Sequence, residues 1–304
     1  MDLKKLDYFV QVADLRSFTK AAAVLSIAQS ALSHQVRQLE IEVDQTLLYR
    51  NGRGVMPTDA GRRLLAHARG ILIQVRRARD EMSETKDTMV GHVTLGMPSS
   101  IARLLTVPLV KSFRTAFPKG RLGIVEALSV PVVEWLVEGR LDMGLVYNPA
   151  SLPSIEIRPL HEQELYLISS RPPGANRQPQ TVPLRDLPRY PLIIPSRRNA
   201  NRILIESQLA LVGLKPQIEL EIDGIASILD LVYEGYGHAV LPLHSLRCHA
   251  FGRSFIARPI VRPKLSIRPA LVTSAHRPVT PLARETVSLV ETTAARVLFP
   301  EKSR

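Results

Sequence analysis

The sequence predicts an all-α module at the N-terminal end followed by a larger α/β region in two blocks. Three observations predict this. Over residues 1–90 apolar residues recur at three- and four-residue spacing, the period of amphipathic helices. From Gly91 onward short apolar runs alternate with helical stretches, the grammar of βαβ units and a mostly parallel sheet. The chain has 304 residues, more than one hydrophobic core usually fills.

The first helix is read from Leu3, Leu6, Phe9, Val10 and Ala13, with Asp2 as its cap. After the break Asp14–Phe18, Thr19 is expected to cap a second short helix carrying Ala21, Ala22, Ala23 and Leu25. Ser26-Ile27-Ala28 is a turn, and a third helix runs from about Gln29 to Val43. Its expected apolar stripe is Ala31, Leu32, Val36 and Leu39; Gln29, Ser30, Ser33, His34 and Arg37 fall on the other face. The Gly, Asn and Pro residues of 49–58 mark an exposed hairpin or wing. Thr58 then caps a long helix to about Lys86, with Leu64, Leu65, Ala68, Ile71, Leu72 and Val75 on one side and six arginines on the other. Such a helix suits a linker or a dimer seam.

In the second region the first block reads as strand 93–97, a helix to about Phe117, strand 122–126, helix 130–139 and strand 143–147. The Pro- and Arg-rich run 171–185, which includes Arg177, is a surface loop. A second block follows: strand 192–195, helix 200–212, strand 217–222, helix 225–233 and strand 239–241. A strand near 268–273 and a helix 280–297 are expected to return to the first block.

Composition narrows the function classes. One cysteine excludes an intrachain disulfide and a Cys-rich zinc module. The sequence has no apolar run of membrane-spanning length, and its first seven residues lack the apolar core of a secretory signal, so a cytoplasmic protein is expected. The net charge is +12, which favours polyanion partners or anionic ligands. The excess is spread, however: residues 1–90 hold 14 basic and 11 acidic side chains, and the remainder 26 and 17. Position must therefore decide.

Helix 19–25, a tight turn and helix 29–43 form a helix-turn-helix pattern. A major groove admits one helix whose N-terminal part carries short polar side chains, and Gln29, Ser30, Ser33, His34 and Arg37 meet that need. Arg37 could meet a guanine edge or a phosphate. Arg53 at the wing tip suits a narrow minor groove, and Arg50 a phosphate. Periodicity alone leaves a plain three-helix bundle with solvated Ser, Gln and Arg equally open.

The string Phe18-Thr19-Lys20-Ala21-Ala22, Leu25, Gln29-Ser30-Ala31-Leu32-Ser33, Gln35-Val36, Leu39-Glu40, Leu47-Leu48-Tyr49-Arg50, Arg53-Gly54-Val55, Pro57-Thr58, Ala60-Gly61 closely resembles the LysR-type transcriptional regulators. Asp44-Gln45 and Leu47-Leu48 are most similar to the nitrogen assimilation control branch. Ser30 stands where the family often has proline, and His34 where it often has arginine, which bears on operator preference.

The resemblance implies a winged helix-turn-helix over 1–58, a linker and dimerisation helix over 59–90, and an effector-binding domain over 91–304. That domain would be like a periplasmic binding protein, with one subdomain of about 91–160 and 268–304 and another of about 161–267. It also implies dimers pairing into tetramers, an interrupted dyad-symmetric site in double-stranded DNA that is bent on binding, and contact with RNA polymerase. Among DNA-contacting positions it places Thr19 and Thr58 beside those already named.

A ligand is expected in the crevice at the C-terminal ends of the parallel strands. Ser99 and Ser100 follow the first strand and open a helix, where hydroxyls and backbone N–H groups can hold an anion. Ser129 repeats this after the second strand. Ser196-Arg197-Arg198 repeats it across the cleft, and Ile225 opens another helix there. By resemblance Ser99, Ser100, Ser129 and Ser196 line an effector pocket, with Met97, Leu128, Val146 and Ile225 as apolar walls. Each serine could equally be an ordinary helix cap. The expected effector is a small carboxylate or other organic anion.

His244, Cys248 and His249 lack a fourth ligand for a metal. Cys248 has no resolving partner for a redox switch. Gly235-Tyr236-Gly237 is not a dinucleotide fingerprint. No catalytic constellation stands out, so neither an enzyme nor a cofactor is expected. An enzyme or carrier using the same cleft, and a sequence-indifferent nucleoid protein, are the competing classes.

Overall fold

The computed structural model of the chain describes residues 1–51, 54–83, 89–171, 181–248, 254–277 and 279–299. Arg53, Arg177 and His249 lie outside the described residues, as do the side chains of Arg50, Arg77 and Cys248. Two compact units divide the chain: residues 1–91 with 138–140, and residues 92–137 with 141–304.

The first unit holds helices α1 (Leu3–Leu15), α2 (Phe18–Leu25) and α3 (Gln29–Glu42), a hairpin of β1 (Leu48–Asn51) and β2 (Gly54–Pro57), and the long helix α4 (Asp59–Ser83). Asp2 caps α1 by accepting from the Lys5 N–H at 2.8 Å. The cap of α2 is Ser17, not Thr19: the Ser17 hydroxyl accepts from the Lys20 N–H, while Thr19 lies inside the first turn, exposed. Ser17 has the extended backbone a cap requires. The core is Phe9, Val12, Ala21, Leu32, Val36, Leu39 and Leu47, each at most 1% exposed. Ala31 and Ala23, expected inside, are exposed, because an eight-residue and a fourteen-residue helix bury only the stripe facing α1. On α4, Ala68 is buried and Leu64, Leu65 and Leu72 pack on that core, whereas Ile71 stands exposed.

The described residues of the second unit form two five-stranded sheets and one two-stranded sheet. The first runs β4 (Gly120–Glu126), β3 (Gly91–Met97), β5 (Met143–Tyr147), β14 (Pro269–Ser274), β6 (Ile155–Pro159). Between its strands lie α5 (Ser99–Ala116) and α6 (Ser129–Val137), and α9 (Pro281–Leu298) packs against α5. The late strand and helix thus return to the first sheet, as their sequence position predicts. The second sheet runs β11 (Ala239–Pro242), β7 (Gln163–Ser170), β12 (Phe255–Val261), β8 (Val182–Pro183), with β13 (Ser266–Ile267) also on β7. Beside it β9 (Leu192–Ile194) pairs β10 (Ile218–Glu221), connected through α7 (Ala200–Ala210), and α8 (Ile225–Tyr233) packs on Ile168, Ile193 and Leu241.

The expectation of a mostly parallel sheet needs correction. β3 and β5 are parallel, but β14 is antiparallel to both β5 and β6, and β7 is antiparallel to β11, β12 and β13. The strands β6, β7 and β12 went unread because they are not separated by helices. Each of these antiparallel pairs joins strands far apart in the chain.

Candidate functional site

In the first unit, α2 ends at Ser26, whose backbone turns left-handed at φ 55°, and the Ile27 N–H returns to the Ala22 carbonyl at 3.1 Å. That closure reverses the chain within three residues and starts α3 at Gln29. Leu32, Val36 and Leu39 face inward, which leaves Gln29, Ser30, His34 and Arg37 exposed and Ser33 half-buried. The polar face is therefore a consequence of the apolar one: residues four apart share a face of a helix.

The hairpin is held by two anchors, one on α3 and one at the end of α1. Glu40 Oε1 accepts from the Leu47 and Leu48 N–H groups at 2.8 and 3.1 Å, and the Val55 N–H donates to the Arg16 carbonyl at 3.0 Å. Gly54 takes φ 122° at that contact, a conformation that favours glycine. Thr58 is 6% exposed. Its hydroxyl accepts from the Gly61 N–H and donates to the Thr46 carbonyl. The hydroxyl is thus committed on both sides within the chain and sets the start of α4. Sequence reading missed Glu40 as a positioner; its only signal is an acid near the end of the expected groove-facing helix.

In the second unit a cleft of about 30 Å³ lies where β3, β5 and β9 end and α5, α6, α7 and α8 begin. Of the residues named for an effector, Ser100, Ser129 and Ile225 line it. Ser99 is exposed and Ser196 stands outside the lining, where its N–H donates to Asp223 Oδ1 at 2.8 Å. Leu128 lines the cleft, but Met97 and Val146 are wholly buried elsewhere, Val146 in the cluster under α6. Tyr147 joins the two serines: its N–H donates to Ser129 Oγ at 3.0 Å, and Ser100 Oγ lies 3.3 Å from its hydroxyl. Burial pushes the Tyr147 phenol up to about 12, so it stays protonated at neutral pH.

Sequence reading missed Tyr147, Asn201 and Asp223, all on this lining. It placed Arg197 and Arg198 across the cleft; both are exposed, and Arg198 reaches Glu134 on α6 at 3.9 Å. Among the described residues that line the cleft there is no Lys, Arg or His, and Asp223 contributes a carboxylate. The described lining itself thus offers an anion no cationic side chain.

A serine–histidine pair joins β7 to the residue that precedes β11. Ser169 Oγ lies 2.7 Å from His238 Nδ1 and accepts from Arg258 at 2.8 Å. Burial, and then the Arg258 charge, lower the His238 pKa, so the arrangement holds its imidazole neutral beside a cation. Among the described residues no three His, Cys, Asp or Glu side chains are grouped to hold a metal ion, and no helix is long and apolar enough to cross a membrane.

Two family models match the chain: a bacterial regulatory helix-turn-helix of the lysR family over residues 3–62, and a LysR substrate binding domain over residues 86–295. The chain belongs to the LysR family of transcriptional regulators. It is 35% identical over 288 residues to the nitrogen assimilation regulatory protein nac of Klebsiella aerogenes, covering 93% of this chain and 92% of that one. The Escherichia coli K12 nac protein is 33% identical, covering 95% and 94%. The branch resemblance read from residues 44–48 agrees with both. The fold is shared with full-length CbnR bound to its target DNA, at TM-score 0.71 and 21% identity, covering 97% of this chain and all of that one. As a LysR regulator, the chain pairs a DNA-binding helix-turn-helix with an effector-binding domain.

Proposed function

We propose that this LysR regulator recognises an interrupted dyad-symmetric operator and is switched by a small molecule held in the cleft of its second unit. The observation that carries the DNA half is α3 itself, whose buried stripe at Leu32, Val36 and Leu39 turns Gln29, Ser30, His34 and Arg37 outward. In this reading α3 enters the major groove, with Gln29, Ser30, Ser33, His34 and Arg37 meeting base edges. Thr19 and Arg50 meet phosphates, and Arg53 reaches a flanking minor groove. Two copies place two such helices on one face of the duplex, and pairs of dimers form a tetramer that bends the DNA between its contacts. RNA polymerase is the partner through which the bound tetramer acts.

The ligand half is a population shift. An effector that binds one closure of the cleft more tightly favours that closure, and this changes the spacing of the DNA-binding pairs. A cleft of about 30 Å³ admits one water-sized group, so a larger effector selects a more open form.

The test is a footprint of the purified protein on fragments upstream of its own gene at near-physiological salt. A protected dyad-symmetric site with a hypersensitive centre is the expected result. Uniform weak protection of every fragment would favour a sequence-indifferent nucleoid protein. No protection by a folded dimer would return the cleft to an enzyme or carrier reading.

A further inference from the structure

The chemistry of the cleft narrows what it takes. Two donors on the β9–α7 side that could hold an anion are already used by the chain's own acceptors. Asn199 Oδ1 accepts from the Asn201 N–H at 2.9 Å, capping α7, and Asp223 Oδ1 accepts from the Ser196 N–H. The adjacent arginine is spent as well. Arg202, buried to 2%, donates to Glu206 at 2.8 Å, Glu221 at 2.5 Å and the Pro195 carbonyl at 3.0 Å. What remains on that wall is the Asn201 amide, with an acceptor in Oδ1 and donors on Nδ2. Asn201 is 9% exposed, lines the cleft, and its Oδ1 is buried without a hydrogen-bond partner among the described residues. Leaving such an oxygen unpaired is unfavourable, and a donor in the cleft would recover that loss.

A carboxylate entering here would lose its water shell, find no cation on the described lining and meet Asp223. An N–H group finds the opposite conditions. We propose that the α7 wall of the cleft selects a ligand bearing N–H donors, an amide or an ammonium, through Asn201 Oδ1, with the Asp223 carboxylate favouring it over an anion. This rests on the reading of the cleft as the effector site and reverses the charge class that helix starts alone suggest. Asn201 is the specificity-determining residue, and Ile225 and Leu241 supply apolar contact for the remainder of the ligand.

Three probes of matched shape test it: butyramide, butylammonium and butyrate, each at millimolar concentration with the full-length protein, read by ligand-observed saturation-transfer NMR. Butyramide and butylammonium are expected to bind at least about tenfold more tightly than butyrate, the worth of one buried hydrogen bond. Asn201→Leu is expected to remove most of the gain of butyramide over butyrate, leaving butylammonium only the part that Asp223 supplies. Asn201→Asp keeps the shape and the acceptor, and is expected to raise butylammonium above butyramide. Preference for butyrate, or equal binding of all three, overturns the donor proposal while leaving the cleft a ligand site. Probe binding that neither variant alters overturns it too. Silence from all three probes overturns the cleft reading together with the proposal.

Discussion

His244 expresses its burial as a pH dependence. It is 7% exposed, and its Nε2 has no partner among the described residues; burial, and then the Arg247 charge, lower its pKa to about 4 from 6.5. The folded imidazole is therefore neutral where the unfolded one binds a proton. Stability is full above about pH 6.5 and is lost as pH falls from there toward 4, by about 3 kcal/mol in all. Urea unfolding of the wild type should lose its midpoint over that window, and His244→Leu should flatten the loss. Arg37 offers the other residue-scale outcome. Arg37→Ala should lower operator affinity about tenfold or more and reduce discrimination between operator and unrelated DNA, measured as a ratio of dissociation constants. An equal loss on every sequence would assign Arg37 to phosphate.

At the scale of elements, the hairpin and α4 are fixed by close approaches. A Cβ on Gly61 would stand 2.0 Å from the Leu47 carbonyl oxygen, so α4 can start where it does only with glycine there. Gly61→Ala should cost about 2–3 kcal/mol by forcing backbone to move. In an operator-binding assay it should also weaken protection at the wing's flank. Glu40→Leu leaves the Leu47 and Leu48 N–H groups without their acceptor, at about 1–3 kcal/mol each, whereas Glu40→Gln retains one acceptor oxygen and should cost less. Thermal unfolding of the two variants separates these outcomes. The elements themselves were largely legible. The periods, Asp2, the 26–28 turn and the Gly–Pro hairpin placed α1, α3, β1 and β2 within a residue or two. Ser17 and Thr19 exchanged roles because either residue type can cap, and only backbone geometry tells which one does.

For the whole molecule, a net charge of +12 spread over both regions predicts strong, salt-sensitive attraction to any DNA. Raising salt should remove binding to unrelated fragments before it removes binding to the operator, because base contacts survive the loss of counterion release. A competition footprint across a salt series checks this, and parallel loss at all fragments would argue against sequence reading. If an effector acts through cleft closure, its addition should move the hypersensitive centre. A ligand that binds tightly and leaves the footprint unchanged would have no differential affinity for the two closures.

The sequence by itself determined the kind and order of the elements, the helix-turn-helix with its outward polar face, and the family. Those follow from local periods, caps and turns within about twenty residues. Only the tertiary structure decided that β14 returns antiparallel beside β5, 122 residues or more downstream, and that β7 organises a mixed sheet. Only it decided that Arg197 and Arg198 leave the cleft while Asp223 and Asn201 line it. The physical reason is one of range. A strand end fixes which residues follow it, but their direction depends on helices and strands that join from distant parts of the chain. The charge of the cleft is set there.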